Sequence, residues 1–273
     1  MNATTPITTG LASQGGHWYA ADGSPAYEIP AKSGALRAVT LRDARKLNLF
    51  PSVTTIQACA AKPGLERWKI EQAIHAALTL PRIEGETETE YAVRVLEDSK
   101  EQARKAAALG TLLHEQIERS FSGSCCCIAC CACDPEWWEY VKPVRDWLAQ
   151  QFGDVEWNAE RSFVHPRGYG GKVDLHSRHV VIDFKTKGFD NADDVKAYDE
   201  HGVQLAAYQV GLGLERNGEQ YPERWNVFVS TTTPGLIKPV LWSPDTFDRH
   251  WTMFCCLLDF WQADKGYKPE RAA

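Results

Sequence analysis

Apolar residues recur at two different periods along the chain, and the change of period organises it. From Leu65 to Leu78, and again from Glu88 to Phe121, they return every three or four residues, the spacing of one helix face. In the second stretch Ala103, Ala106, Gly110, Leu113, Ile117 and Phe121 share that face, with a break expected near Asp98. Pro63-Gly64 interrupts the chain just before the first stretch. Ser52 is an N-cap for a short helix starting at Val53, and Asp134-Pro135-Glu136 opens a helix that runs to about Gln151. The period then drops to two. Trp157 to His165, Gly171 to His176 and His179 to Lys185 read as three consecutive strands, with turns at Arg167-Gly168 and Ser177-Arg178. A helix from Asp193 to Gly213 follows, then a strand from Trp225 to Thr231 that pairs with Leu236 to Leu241 through Thr233-Pro234-Gly235. Ser243-Pro244-Asp245 caps a last helix with the stripe Phe247, Trp251, Phe254, Leu258 and Trp261. Near the N-terminus, His17 to Ala21 and Ala26 to Ile29 flank Asp22-Gly23 as a hairpin, and Leu36 to Leu41 adds a strand.

Helices, three strands, a helix, strands and a helix predict an α/β fold, a central mixed β-sheet flanked by helices on both faces. A β-rich and helical extension over residues 1–60 precedes a core over 61–273, which contains a cysteine-rich loop at 122–134. With 273 residues, 44% hydrophobic and 24% charged, the chain can bury a full core without staples. No apolar run approaches the roughly 18 residues of a membrane helix. The opening residues lack the basic and apolar regions of a signal peptide, so the expectation is a soluble protein of the cytoplasm (bacterial or phage-infected) or another intracellular compartment, with no membrane partner. The net charge of -6 argues against a passive nucleic-acid coat but not against an enzyme whose carboxylates hold metal ions.

Candidate chemistry gathers on the consecutive strands. In Val180-Val181-Ile182-Asp183-Phe184-Lys185, alternation puts Val180, Ile182 and Phe184 on one face and Val181, Asp183 and Lys185 on the other. An acid-x-Lys triplet is common by chance, and a surface strand with an ion pair is the plain alternative. Asp174, which closes Gly170-Gly171-Lys172-Val173-Asp174, lies one turn away. Neighbouring strands are about 4.8 Å apart, so the two carboxylates can converge on one cation. His114 and Glu118 sit four apart on the long helix, and Gln204 and Tyr208 four apart on the later one. Each pair alone is compatible with an ordinary helix surface.

Taken in order, these elements resemble the PD-(D/E)XK nuclease superfamily, in particular its RecB-like branch, the mitochondrial genome maintenance exonuclease family and related phage exonucleases. The matching residues are Gly110, His114 and Glu118, then Glu160, Gly170 to Asp174, Asp183-Phe184-Lys185-Thr186, and Gln204 with Tyr208. Ser52-Val53-Thr54-Thr55 and Pro63-Gly64-Leu65-Glu66-Arg67-Trp68 also look like that exonuclease family. The resemblance implies a restriction-endonuclease-like core and a DNA exonuclease dependent on Mg2+ or Mn2+, serving repair, recombination or phage DNA processing. It implies that Asp174, Asp183 and the Phe184 carbonyl bind the metal, with Glu118 or His114 completing the shell. Lys185 would orient or deprotonate a water or stabilise developing charge, and Gln204 would hold Lys185 or the scissile phosphate. Tyr208, Thr186, Ser52, Thr54, Thr55 and Trp68 would contact DNA, as single strands or duplex ends. A structure- or site-specific endonuclease on the same core, and a non-catalytic DNA-binding protein that keeps the fold, are the alternatives.

The nine cysteines do not read as a disulfide framework. Some RecB-like nucleases carry an iron–sulfur cluster on one early and three late cysteines. Here Cys59 is early, only the adjacent Cys255 and Cys256 are late, and such a cluster is not expected. Cys127-x-x-Cys130 and Cys130-x-x-Cys133 have zinc-ligand spacing but lack a second pair, so a loop of small residues is the plainer reading. Basic residues at Arg42, Arg45, Lys46, Arg67, Lys69, Lys100, Arg104 and Lys105 form either a phosphate track or solvated helix faces.

Overall fold

A computed structural model describes residues 16–121, 133–214 and 222–270, apart from the side chain of Gln102. Cys125, Cys126, Cys127, Cys130 and Cys131 lie outside the described residues, so the zinc-spacing expectation does too; Cys133 is buried. The centre is a mixed five-stranded sheet in the order β5-β6-β7-β8-β9, formed by Asn158–His165, Tyr169–His176, Val180–Lys187, Glu223–Ser230 and Ile237–Trp242. Pairing is antiparallel except between β7 and β8, which run parallel. A parallel pair needs a crossover, and α6 (Asp199–Gly211) supplies it.

Helices cover both faces, as the element order predicts. Alternation along β7 sends Val180, Ile182 and Phe184 into a cluster with Ile117, Val141, Val144 and Leu148, which belong to α4 (Glu88–Arg119) and α5 (Trp138–Phe152). Val181 points the other way, into a cluster with Val203 and Leu205 of α6 and Phe254, Leu258 and Trp261 of α7 (Phe247–Lys265). Residues of the N-terminal 60 join that second cluster: Trp18, Val39, Ala44, Leu49, Val53 and Ile56 are buried in it. They come from β1 (Trp18–Tyr19), α1 (Leu41–Leu47), α2 (Val53–Gln57) and the connections between them.

Several local expectations are corrected. The predicted N-terminal hairpin is shortened to a bridge between Tyr19 and Pro25 with the Ala26 N–H donating to the Trp18 carbonyl, and β1 pairs in addition with β4 (Phe50–Pro51). The stretch that follows pairs onward, β2 (Glu28–Pro30) with β3 (Leu36–Ala38). α4 runs unbroken through Asp98 for 32 residues, because it holds neither proline nor an inserted side chain there and Lys100 pairs with Glu97. Its stripe is buried only from Gly110 onward. Ala106 is exposed, since the N-terminal half packs on α3 (Pro63–Thr79) rather than on the sheet. The helix expected from Asp193 starts at Asp199. The Asn191 side chain caps a single 3-10 turn over Ala192–Asp194, and Val195 then turns inward against Phe189 and Phe228.

Of the basic residues, Arg67, Lys69, Lys100 and Arg104 pair with helix acids three or four residues away, which makes them a solvated face. Among the described residues, no helix is long and apolar enough to cross a membrane.

Candidate functional site

β6 and β7 are held together only at Leu175–Ile182 and His176–Val181. Continued by one step, that register sets Asp174 opposite Asp183, where the pairing has ended. Asp174 fills the gap: its Oδ2 accepts the backbone N–H of Phe184 at 2.8 Å. The parting of the strands therefore creates a notch with a carboxylate on each wall.

The notch has a second origin on β5. Glu160, across from Asp174, adopts φ 54, the left-handed region that side chains disfavour, and the β5–β6 ladder skips this position. The irregularity changes which way β6 faces. Val173 lies in the α6/α7 cluster and Leu175 in the α4/α5 cluster, although strict alternation would put them together. Lys172 pairs with Glu160.

Asp183 is 2% exposed and is held from three directions. Its Oδ2 lies 2.7 Å from Lys185 Nζ and accepts Asn226 Nδ2 at 2.8 Å, and its Oδ1 accepts Gln204 Nε2 at 3.0 Å. Lys185 also donates to Gln204 Oε1 at 2.9 Å, so the amide and the ammonium fix one another. Behind them Trp242 Nε1 donates to Asn226 Oδ1 at 2.7 Å, and Gln204 Nε2 lies 2.8 Å from the Tyr208 hydroxyl. Burial pushes the Asp183 carboxyl up. Lys185 opposes that rise, and the Asp174 charge adds to it. A buried carboxyl raised by a neighbouring carboxylate favours a cation beside it.

The α4 side supplies the third wall. Gly110 brings the helix onto β7 so closely that a Cβ there would lie 2.5 Å from Thr186 Oγ1. One turn on, His114 Nδ1 is 3.5 Å from Asp174 Oδ2, and the His114 ring stands edge-on to Phe184. Glu118, half-buried one turn further, is raised by burial and by Glu115 and Asp174, against the opposing charge of Lys172.

Asp174, Asp183, Lys185, Gln204, His114 and Glu118 are thus brought together, with Phe184 between the acids. Thr186 stands where α4 meets β7. Ser52 is placed elsewhere. It is 3% exposed, caps α2 by accepting from Thr55 N, and bridges to Gly170, four residues or about 13 Å along β6 from Asp174. Thr55 receives the backbone N–H of His17, and Thr54 is exposed. Tyr208 is 6% exposed, so it backs Gln204 rather than presenting its hydroxyl outward. Trp68 is 38% exposed on α3.

Periodicity did not single out Asn226, although a lone amide in the apolar run Trp225 to Val229 was a usable signal. It also missed Tyr19 and Tyr27, whose hydroxyls meet at 2.9 Å. Burial is the chief cause that raises Tyr19 and Tyr208, with Tyr208 adding to the rise of Tyr19 and Tyr27 to that of Tyr208.

Among the described residues no three His, Cys, Asp or Glu side chains close on one point. The donor set that the resemblance implies is two carboxylates and the Phe184 carbonyl, and Asp174 Oδ1 has no partner among the described residues. That set fits a small hard cation, which is usually held by one or two carboxylates while waters and substrate phosphates fill the remaining positions.

No protein family matches the sequence, and no curated protein matches it. Among solved structures the chain is similar to the crystal structure of SSO0001, at 16% identity over 71% of this chain and 86% of that one. The TM-score of 0.28 is too low to carry an argument.

Proposed function

We propose that this chain is a metal-dependent deoxyribonuclease on a restriction-endonuclease-like PD-(D/E)XK core, removing nucleotides from DNA ends. One observation carries the reading: two acids stand at opposed register positions where two strands part, close enough for the Asp174 charge to raise the Asp183 carboxyl, with a lysine two residues beyond the second acid. Asp174, Asp183 and the Phe184 carbonyl would hold Mg2+ or Mn2+. The bound ion would supply a water of lowered pKa and an electrostatic partner for the charged phosphate.

The chain's own groups do the rest. Gln204 holds the Lys185 ammonium over Asp183, where it can meet an attacking water or a phosphate oxygen. Asn226 and Trp242 fix the Asp183 carboxylate, so its orientation does not depend on exposed groups. His114 contacts Asp174 from the α4 side, and Glu118 adds a carboxyl one helical turn further on that feels the Asp174 charge.

The test is cleavage of end-labelled linear single- and double-stranded DNA beside a closed circle, with and without Mg2+ or Mn2+. Linear DNA should be degraded only with metal, and Asp174→Ala and Lys185→Ala should abolish it. Full activity in either variant refutes the proposal. Cutting of the circle would make the enzyme an endonuclease, and tight binding without turnover in any divalent metal would make it a binding protein.

A further inference from the structure

His250, near the start of α7, is 0% exposed and lies behind both supports of Asp183. One support is reached through α6, on which α7 packs. A Cβ on Gly202 would lie 2.4 Å from His250 Cε1 and 2.6 Å from Nδ1, so the imidazole fills the place where another residue of α6 would carry its side chain. Glycine is unfavourable inside a helix, and its presence here answers to this contact. Gly202 precedes Gln204 by two residues, about 200° around the helix. α6 therefore lies between the imidazole and the notch, and one ring sets its position from behind. The other support is reached through β9. The His250 ring stands edge-on to Trp242, with centroids 5.0 Å apart. Trp242 Nε1 donates to Asn226, and Asn226 donates to Asp183. Both amides that hold the buried carboxylate thus rest on one residue.

The imidazole is itself fixed. Arg224, 1% exposed and opposite Trp242 in the β8–β9 ladder, places Nη1 3.3 Å from His250 Nδ1. Its Nη2 donates to the Ser243 carbonyl at 3.1 Å and to Thr246 Oγ1 at 3.2 Å. A guanidinium only donates, so Nδ1 accepts and the proton of the neutral ring sits on Nε2. Nε2 lies 3.5 Å from Asp199 Oδ1 at the start of α6, and 3.3 Å from Arg249, which pairs with Asp199 through both terminal nitrogens. Burial presses the His250 pKa down, and the two arginines add to this against the opposing pull of Asp199. An aliphatic side chain in its place would leave the buried Arg224 without this acceptor.

We propose that His250 is a positioning residue for phosphodiester cleavage: a neutral ring clamped by Arg224 and Asp199, it holds Gln204 through Gly202 and Asn226 through Trp242, and so sets Asp183 and Lys185. The assignment rests on the deoxyribonuclease reading for its chemistry and on packing alone for its geometry.

Steady-state cleavage of linear DNA by the full chain in saturating Mn2+ tests it. His250→Leu keeps bulk and deletes both nitrogens. It should lower kcat about 10²-fold, the cost of a displacement of about 1 Å, with KM within about threefold of wild type. His250→Asn restores an acceptor for Arg224 at the Nδ1 position and should recover about tenfold of that loss. Gly202→Ala reaches the same contact from α6 with a better helix former, and keeps the test open where His250→Leu does not fold. It should slow kcat comparably, and Gly202→Ala/His250→Ala should be no slower than Gly202→Ala. A readout without DNA or metal is the Trp242 indole N–H in EDTA, assigned in tryptophan-labelled protein by Trp242→Phe. Its hydrogen exchange should quicken about tenfold in His250→Leu and in Gly202→Ala.

A folded His250→Leu with kcat within about threefold of wild type overturns the proposal, and so does unchanged Trp242 exchange. A rise in KM at constant kcat, His250→Asn as slow as His250→Leu, or additive losses at positions 202 and 250 also overturn it. A wild-type protein that cleaves no linear DNA in any divalent metal overturns the nuclease reading. Trp242 exchange then decides the positioning claim by itself: quickened exchange in both variants supports it, and unchanged exchange overturns it.

Discussion

Asp174→Asn should stabilise the metal-free protein while removing its chemistry. The change keeps the shape of the side chain and an oxygen that can accept the Phe184 N–H, now held at 2.8 Å. It deletes one of two charges that face each other across parted strands. At the roughly 5–6 Å expected between such side chains, and at an effective dielectric near 20, the repulsion is about 3 kcal/mol. Against this stand the weaker bond to Phe184, about 0.5–1 kcal/mol, and the lost contact with His114, about 1 kcal/mol. The net gain of about 1 kcal/mol corresponds to a melting temperature about 2–4 °C higher. Metal reverses the order, because a ligand present at 100 times its Kd stabilises only the protein that binds it, by about 2.7 kcal/mol. Differential scanning calorimetry in EDTA and in saturating Mg2+ gives both comparisons. A variant that melts below wild type in EDTA, or an equal rise of both proteins on adding Mg2+, refutes the reasoning.

Lys185→Gln should slow cleavage by about 10²–10⁴, measured as single-turnover degradation of linear DNA in saturating metal, and a rate within tenfold of wild type would contradict it. Gly110→Ala should cost about 1–3 kcal/mol through its clash with Thr186, and Gly110→Ala/Thr186→Ala should recover most of it in urea denaturation. His201 is neutral in the folded protein because burial and neighbouring ammoniums depress its pKa to about 4, whereas the unfolded imidazole titrates near the ordinary value of 6.5. The unfolded state thus takes up the proton first, and stability falls as pH drops from about 6.5 through 4. His201→Gln should flatten that part of the stability–pH curve, and an unchanged slope would contradict it.

β7 was legible in the sequence because its two faces differ so sharply. Three apolar side chains enter the α4/α5 cluster, while Asp183 and Lys185 both meet Gln204. Asp174 was legible as a partner but not in its setting. The reversal of facing between Val173 and Leu175, and the left-handed backbone of Glu160, arise from a local break in the ladder that no alternation rule anticipates. The N-terminal pairing was misjudged for a related reason. Asp22-Gly23 does form a tight turn, and Ala26 N–H still donates to the Trp18 carbonyl, but the extended ladder of Trp18 and Tyr19 is with Phe50 and Pro51, distant in sequence. The late start of α6 follows from Val195, whose burial against Phe189 and Phe228 outweighs the helical pattern around it. Long-range packing decided each of these cases, and only local preference is visible in a single sequence.

The single parallel ladder among the described strands also sets the order of assembly. β7 gains its second neighbour only when the chain has passed through α6 and reached residue 223, so Gln204 and Asn226 arrive after Asp183 has already been made. A growing chain that has not yet reached Gln204 therefore carries both acids without the two amides that aim Asp183.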